Sequence, residues 1–406
     1  MDFIKRYAML LVPAGIVVVS IVLFVISILI GSSVQQGMAQ SVSMADKVSS
    51  YVRQVPSASQ WQVAQEYENA HASDANIIAS IAVDTTRREL LSYDLFPDPC
   101  TTSLQVFRDF GVRYVEAVER LLERLDARDC PTKREIDDLL AGAVKSSGSR
   151  RGSGSEERDK AEQIRNSFYT KRAESIACYT NPMVFIGYKF WKDRKSKFIG
   201  KEEWLSGCWS TQMAYWIQED IVETIRILNA DSHSVFTSPV KRLLGISFAS
   251  ADGTGDKDDE EPMLTYVRDD YGLVDAWTGR QCDDDMDVVH FSIAVIISAK
   301  AEMPFMHELC SSKEHIFRGF KADNPEQHSR HNQITILEYS HEPIDRNDRE
   351  HESYRYGSDA VIRLNLICEY FFSRKGYDSI KPETVKEQLG QLKDEKKGSA
   401  RSRRTR

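Results

Sequence analysis

The segment that decides the fold is "DVVHFSIAVIISAKAEMPFMHELC", residues Asp287–Cys310. Its first half alternates, with one apolar face (Val289, Phe291, Ile293, Val295, Ile297) and one face of smaller or polar side chains (His290, Ser292, Ala294, Ser298). An alternation of period two is typical of a half-buried β-strand. A helix is predicted to follow from Ala301, because Glu302 lies near its N-terminus and Pro304 in its first turn. The apolar run is too short to span a membrane. It therefore predicts the junction of a strand and a helix in a buried core.

The same three-element unit occurs twice around this junction. The predicted order is a helix at Trp209–Leu228, a strand at Val240–Phe248, the strand and helix of Asp287–Cys310, and strands in "NQITILEYS" and "SDAVIRLNLICEYFF". Two helices on one face of a four-stranded antiparallel sheet bury both apolar helix faces and leave the other sheet face in water. The predicted fold class is α+β, with a ferredoxin-like sandwich of permuted order αββαββ over residues 200–380.

The N-terminus carries a second strong pattern. Tyr7–Gly31 contains no charged residue and is long enough, as a helix, to cross a hydrocarbon core of about 30 Å. A cleaved signal peptide has a shorter apolar region and a clear cleavage site, so we predict an uncleaved transmembrane helix over residues 7–31. Lys5 and Arg6 precede it, which places residues 1–6 in the cytosol and the rest of the chain across the membrane.

Residues 32–144 are predicted to form a helical stalk and hairpin. A narrow apolar stripe runs from Met38 to Val55, and it suits either pairing with another chain or folding back on the next helix. A near-heptad pattern follows over Leu104–Leu125, and "CPTKREIDDLLAG" predicts a second helix of the hairpin. Residues 145–159 are predicted to be a flexible linker, 160–199 a connecting helical segment, and 381–406 a disordered charged tail.

Composition narrows the functional classes. The chain has 406 residues, 41% of them hydrophobic, which supports real cores and excludes a disordered chain. Its net charge of −8 argues against a general nucleic-acid binder. The seven cysteines are widely spaced without a CxxC motif, so a disulfide framework is not expected and most are predicted to be small buried residues.

Several residues invite a metal-site interpretation. His307, Cys310 and His315 lie close in the chain, with His290 on the neighbouring strand, but zinc sites usually bring a second close pair of ligands. The stretch from Asp252, "DGTGDKDDEE", lacks the ligand order of a calcium loop, and "QCDDDMD", Gln281–Asp287, is predicted to be a flexible acidic loop. We therefore predict no metal ligands.

No GxSxG, HExxH, Walker A or strand-linked GxGxxG motif is present in the sequence. Carboxylate pairs far apart in the chain are invisible to this kind of reading. The sequence thus predicts a protein that is not an enzyme, with no catalytic residues, no cofactor-binding residues and no cofactor.

The layout resembles the PilO and PilN type of inner-membrane platform proteins of type IV pilus machines, and the related M-type protein of type II secretion. The resemblance lies in the short cytosolic start, the span Tyr7–Gly31, the helical stalk and the terminal α-β-β-α-β-β domain, with "VVHFSIAVIISAKAEMPFMHELC", "NQITILEY" and "VIRLNLICEYFF" closest to the PilO pattern. "MDFIKR" lacks the docking peptide of PilN-type proteins, and the helical region Trp61–Trp191 is larger than the usual stalk.

Such a resemblance implies a non-enzymatic, membrane-anchored scaffold that dimerises with itself or with a related single-span platform protein and joins pilus or secretion machine components. It implies a bacterial inner-membrane location, with the bulk of the chain in the periplasm. The alternatives are a single-span extracytosolic receptor that holds a ligand and, more weakly, a membrane-anchored hydrolase. A concave pocket with convergent polar groups would favour the alternatives.

Overall fold

The N-terminal apolar run is part of one long helix, α1 (Asp2–Gln54). The computed structural model describes residues 2–54, 58–84, 86–99, 103–146, 154–193, 200–248, 263–269 and 271–392. Within these residues α1 is the one helix long and apolar enough to cross a membrane, and its residues from Gly15 to Tyr51 are all exposed. Such a helix is compatible with a single-pass anchor or with a signal sequence.

A second helix, α2 (Ala58–Asp84), follows α1 and has no buried residue. The chain divides into two units, Met1–Ile78 and Ala79–Arg406. The first unit therefore consists of helical segments whose described side chains are exposed, and the second contains every strand that the structure describes.

The second unit is a mixed α+β structure. Its helices are α3 (Leu104–Arg124), α4 (Lys133–Ser146), α5 (Gly154–Glu174), α6 (Tyr188–Asp193), α7 (Lys201–Leu228), α8 (Glu302–Leu309), α9 (Arg374–Tyr377) and α10 (Glu383–Gln388). Its strands are β1 (Ala127–Arg128), β2 (Cys178–Tyr179), β3 (Val240–Ser247), β4 (Thr265–Tyr266), β5 (Met286–Ser298), β6 (Lys313–Phe317), β7 (Gln327–His331), β8 (Ile334–Pro343) and β9 (Val361–Ser373).

Seven strands form one mixed sheet in the order β1-β2-β3-β5-β9-β8, with β4 paired to β5. The β1-β2 and β2-β3 pairs are parallel, and the other pairs in this sheet are antiparallel. The long central pair, β5 and β9, aligns Ile293 with Leu366 and Ile297 with Ile362. Strands β6 and β7 form a separate antiparallel hairpin.

The main core lies between this sheet and α7, which buries 18 of its 28 residues. The predicted apolar face of β5 packs into this core, from Val289 to Ile297. Phe305 and Leu309 of α8 are fully buried there. Burying such side chains contributes about 1.5–3 kcal/mol each.

Helix α3 belongs to the same core rather than to a stalk. Its buried face, which includes Phe107, Tyr114 and Val118, is the face that the near-heptad pattern predicts. Gly111 allows Trp191 of α6 to approach, since a Cβ on this glycine would lie 2.4 Å from the indole ring. The predicted stalk over residues 32–144 is therefore wrong for α3, because the apolar stripe packs inside the second unit.

The predicted face of β3 is wrong in part. Strict alternation along the predicted strand Val240–Phe248 would place Val240, Leu244 and Ile246 on one face and Leu243 on the other. The structure buries Leu243 in the main core, because pairing with β5 shifts in register between Val240 and Arg242 and again between Leu243 and Gly245. Each extra residue reverses the faces that follow it.

The second sheet face is covered and not left in water. Ile296 of β5 packs there with Tyr179 and Tyr356 in a second hydrophobic cluster. The segment after β4 covers the same face farther along β5, where the backbone N–H of Leu273 donates to His290 Nδ1. This expectation fails because segments outside the predicted αββαββ unit supply the cover.

The charged stretches Gln281–Asp287 and Lys381–Gln391 contact each other and are ordered. The predictions of a flexible acidic loop and of a disordered tail from residue 381 are therefore wrong for these residues. Asp287 and Lys381 are fully or almost fully buried, and their charged atoms lie 2.5 Å apart. Gln391 donates to Asp287 at 2.7 Å, and Tyr377 also donates to it. A buried carboxylate needs such partners, and the sequence spacing of almost 100 residues hides them.

The remaining sequence predictions have mixed outcomes. Of the predicted linker 145–159, residues 147–153 lie outside the described residues, as do the acidic stretch Asp252–Glu261 and the tail beyond residue 392. Residues 145–146 belong to α4 and 154–159 to α5, so the linker prediction is wrong for them. Among the six described cysteines, Cys178, Cys208 and Cys368 are buried and the other three are half-buried.

Replacing Lys381 by Met should lower the free energy of unfolding by about 3–5 kcal/mol, because Asp287 would keep a buried charge without its cation. The matched control is Lys375→Met, which removes an exposed ion pair to Asp285 and should cost less than about 1 kcal/mol. Chemical denaturation of the full chain in detergent measures both. Equal losses for the two variants would contradict the assigned burial of Lys381.

Candidate functional site

A polar cavity of about 530 Å³ opens on the second unit, beside α3, α7 and the β6-β7 hairpin. Its walls carry four arginines and four glutamates: Arg88, Arg113, Arg120, Arg124, Glu89, Glu116, Glu219 and Glu314. His315 and Tyr215 also border it. A concave site of this size with convergent polar groups is the kind of place where small ligands bind.

A buried carboxylate, Asp220, lies behind this cavity on α7 and is 1% exposed. Its neighbours Trp216, Ile217 and Ile221 face the core, so the apolar stripe of α7 carries the carboxylate into the interior. Tyr370 of β9 donates to Asp220 Oδ2 at 2.6 Å and contacts Gln333 Oε1 at 2.8 Å. The hydrogen bond from Tyr370 to Asp220 therefore joins α7 to β9.

Arg88 supplies the countercharge. Its two terminal nitrogens each lie 3.1 Å from one oxygen of Asp220, and one of them also donates to Glu219 at 2.8 Å. Burial alone would raise the pKa of Asp220, but the charges of Arg88 and His315 lower it overall. Burial would lower the pKa of Arg88, but Asp220, Tyr370 and Glu219 raise it overall. Both groups are therefore charged at neutral pH.

Two histidines complete the cluster from the β6-β7 hairpin. Alternation along β6 turns Lys313, His315 and Phe317 inward. Because Lys313 aligns with His331, and His315 with Ser329, the two histidines are diagonal neighbours on one face. Their rings stack with centroids 4.5 Å apart and an angle of 14° between the planes.

The histidine side of the cluster lacks hydrogen bonds. His315 Nε2 lies 2.9 Å from Asp220 Oδ1, which is within ion-pair distance but without hydrogen-bond geometry. Within the described part of the chain, neither ring nitrogen of His331 has a hydrogen-bond partner, although the residue is 4% exposed. Burial lowers the pKa of His331 to about 3, which keeps its ring neutral.

This arrangement has clear chemical capacity. Asp220, His315 and His331 each offer one donor atom, and these three atoms lie within 4.8 Å of one another. Imidazole nitrogens from two histidines and a carboxylate oxygen are donors that divalent transition metals prefer. The cluster is thus a candidate metal centre that borders a polar cavity through His315.

A second buried polar pair lies on the opposite face of the sheet. His290 Nε2 is 3.8 Å from Glu369 Oε2, and Glu369 also accepts from Thr278 and Arg280 at 2.8 Å. Burial would raise the pKa of Glu369, but the neighbouring His290, Arg280 and Thr278 lower it overall. The backbone N–H of Leu273 donates to His290 Nδ1 at 3.1 Å, so this histidine has a structural role in fixing the β4 segment.

The structure separates the residues that sequence proximity grouped. His307 is exposed, Cys310 is half-buried at the end of α8, and His315 joins Asp220 and His331 instead. Sequence reasoning missed Arg88, Asp220 and His331. One signal was available, since a carboxylate inside an apolar helix face implies a buried partner.

Comparisons of the chain with protein-family models, with curated proteins and with solved structures found no significant match. The resemblance to PilO-type platform proteins therefore stays a prediction.

Replacing Arg88 by Met should lower the free energy of unfolding by about 3–5 kcal/mol, because Asp220 would remain buried without its guanidinium partner. Arg113→Met is the control, since Arg113 borders the same cavity but is exposed, and its loss should cost less than about 1 kcal/mol. Denaturant titration of the full chain in detergent compares the two. A loss below about 1 kcal/mol for Arg88→Met would contradict the assigned role of this ion pair.

Proposed function

We propose that this chain is a non-enzymatic, single-span membrane protein that works by association, and that α1 pairs with a second copy beside the membrane. The observation that carries this proposal is the exposed stripe of α1 beyond the predicted span. Val34, Met38, Val42 and Val48 are between 55% and 67% exposed. At about 100° per residue they cover an arc of roughly 120°, with Ala45 between them.

Two features favour a second copy as the partner of this stripe. The sequence offered folding back onto the next helix as an alternative, but the described residues of α2 up to Ile81 are exposed as well. Residues 32–51 contain only Asp46 and Lys47 as charged residues, so two copies would meet without net repulsion. Anchoring in one membrane raises their effective concentration.

The second unit supports the same proposal through its sheet. We infer that α7, β3, β5, α8, β8 and β9 correspond to a permuted ferredoxin-like unit. The antiparallel order β3-β5-β9-β8, with α7 before the first strand pair and α8 before the second, supports this inference. Strand β8 is an edge, and its residues from Glu338 to Pro343 are exposed, which suits pairing with a related domain.

This combination is the layout of a PilO-like platform component of a pilus or secretion machine. The charge pattern before the span supports an inner-membrane protein with its N-terminus in the cytosol and its bulk in the periplasm. Helices α3 and α6 go beyond that layout, and their packing into the main core makes them part of the folded unit.

A single-span ligand-binding protein is the second candidate, and the 530 Å³ cavity is the observation that favours it. The cavity is lined by four arginines and four glutamates, which suits a small molecule that carries both a positive and a negative charge. The two candidates differ in their dependence on the stripe, because ligand binding at the cavity does not need α1 to pair.

Cysteines introduced singly at Met38 and Val42 should crosslink two copies of the full chain in membranes, because both positions lie on the stripe. Ser43→Cys and Ser50→Cys are matched controls on the opposite side of the same helix and should give little dimer. The unmodified chain measures the background from its native cysteines. Equal crosslinking at all four positions, or none above background, would show that the stripe does not pair with a second copy.

A further inference from the structure

We propose that Asp220, His315 and His331 bind one divalent transition-metal ion of the zinc class, with an open coordination position toward the cavity. This inference is independent of the association proposed above. It replaces the sequence expectation of no metal ligands, and it uses only one residue, His315, of the group considered there.

The donor geometry supports an ion. Two ligands about 2.05 Å from a tetrahedral ion lie roughly 3.3 Å apart. His315 Nε2 and Asp220 Oδ1 are 2.9 Å apart without a hydrogen bond, and the donor atom of His331 lies within 4.8 Å of both. Small rotations of the side chains would bring all three donors to ligand distance.

The unpartnered nitrogens of His331 are the second, independent observation. A buried polar group without a partner costs about 1–3 kcal/mol. His331 contributes two such atoms in a residue that is 4% exposed, and His315 Nε2 makes no hydrogen bond either, although it lies within ion-pair distance of Asp220. An ion would coordinate one nitrogen from each ring. It would supply the partner that these nitrogens lack among their hydrogen bonds in the described part of the chain.

The charge of Arg88 is compatible with this ion. Arg88 also pairs with Glu219 at 2.8 Å, so these two side chains compensate each other. Each oxygen of Asp220 has two lone pairs, and Oδ1 can accept from Arg88 and still coordinate an ion on the side of His315. Arg88 and Tyr370 would then hold the carboxylate in place, as outer partners of metal ligands commonly do.

The position in the fold suggests what the ion would do. His315 borders the cavity, whereas Asp220 and His331 are not among its wall residues. Three protein ligands leave a fourth position free in a tetrahedral site, and such open sites bind water or a ligand atom. The ion would therefore bind a small ligand in the cavity through an anionic or other donor group of that ligand.

The test uses the full chain in detergent, without an affinity tag, stripped by a chelator and then loaded with Zn²⁺ or Co²⁺. Elemental analysis after gel filtration should find one ion per chain. The matched pair of variants is His331→Gln and His328→Gln, two histidines of β7 of which His328 is exposed. Competition with a chromophoric chelator should show at least about 100-fold weaker binding for His331→Gln, since loss of an outer partner alone costs about 10- to 100-fold. His328→Gln should be unchanged.

Three further measurements keep the test decisive if His331→Gln fails to fold. Bound Co²⁺ in the unaltered chain should show a tetrahedral spectrum without thiolate charge transfer, and Cys310→Ser should bind as tightly as the unaltered chain. Zn²⁺ should also raise the thermal midpoint of the stripped chain with increasing concentration. The proposal is overturned by an absence of retained ion, by undiminished binding in a folded His331→Gln variant, or by a thiolate signature lost in Cys310→Ser.

Discussion

The burial of one carboxylate, Asp220, is the constraint on which the second unit depends. Moving a charged carboxylate from water into a protein costs several kcal/mol, and only well-placed partners repay it. Those partners come from distant parts of the chain: Arg88 from the segment after α2, Tyr370 from β9 and His315 from the β6-β7 hairpin. The helix layer, the sheet and the hairpin must therefore all be in place before Asp220 is satisfied.

The two sides of the Asp220 cluster differ: one side stabilises the fold, and the other is the candidate binding side. On one side, Arg88 and Tyr370 give both oxygens of Asp220 ordinary charged or neutral hydrogen bonds. On the other, His315 Nε2 and both ring nitrogens of His331 make no hydrogen bond within the described part of the chain, and His315 borders a cavity. A purely structural cluster would satisfy both sides, because unsatisfied buried groups reduce stability. The second side is therefore where binding is expected.

The sequence predicts local features well in this chain. The alternation in Val289–Ile297 identified the buried face of β5, and the near-heptad pattern identified the buried face of α3, because both depend only on residue spacing within one element. The sequence could not show that α3 joins the main core, since a helix stripe has the same period whether it faces another helix or a sheet. The bulges in β3 were also hidden, because register depends on the partner strand.

Long-range polar contacts were the least predictable part. His315 appeared to belong with His307 and Cys310, which are near it in sequence, yet pairing of β6 with β7 brings it to His331. The partners of Asp220 and Asp287 likewise lie about 90 to 150 residues away in the chain. Only the topology of the sheet and hairpin brings such groups together, and a single sequence does not encode that topology in any short motif.

The role of Asp220 is tested most directly by a double-mutant cycle with Arg88→Met and Asp220→Leu in the full chain. Each single variant leaves a buried charge without its main partner, whereas the double variant removes both charges. We predict that the double variant loses less stability than the sum of the two single variants, by a coupling free energy of about 2–3 kcal/mol. Losses that simply add would contradict the account, because they would show that the two charges do not depend on each other.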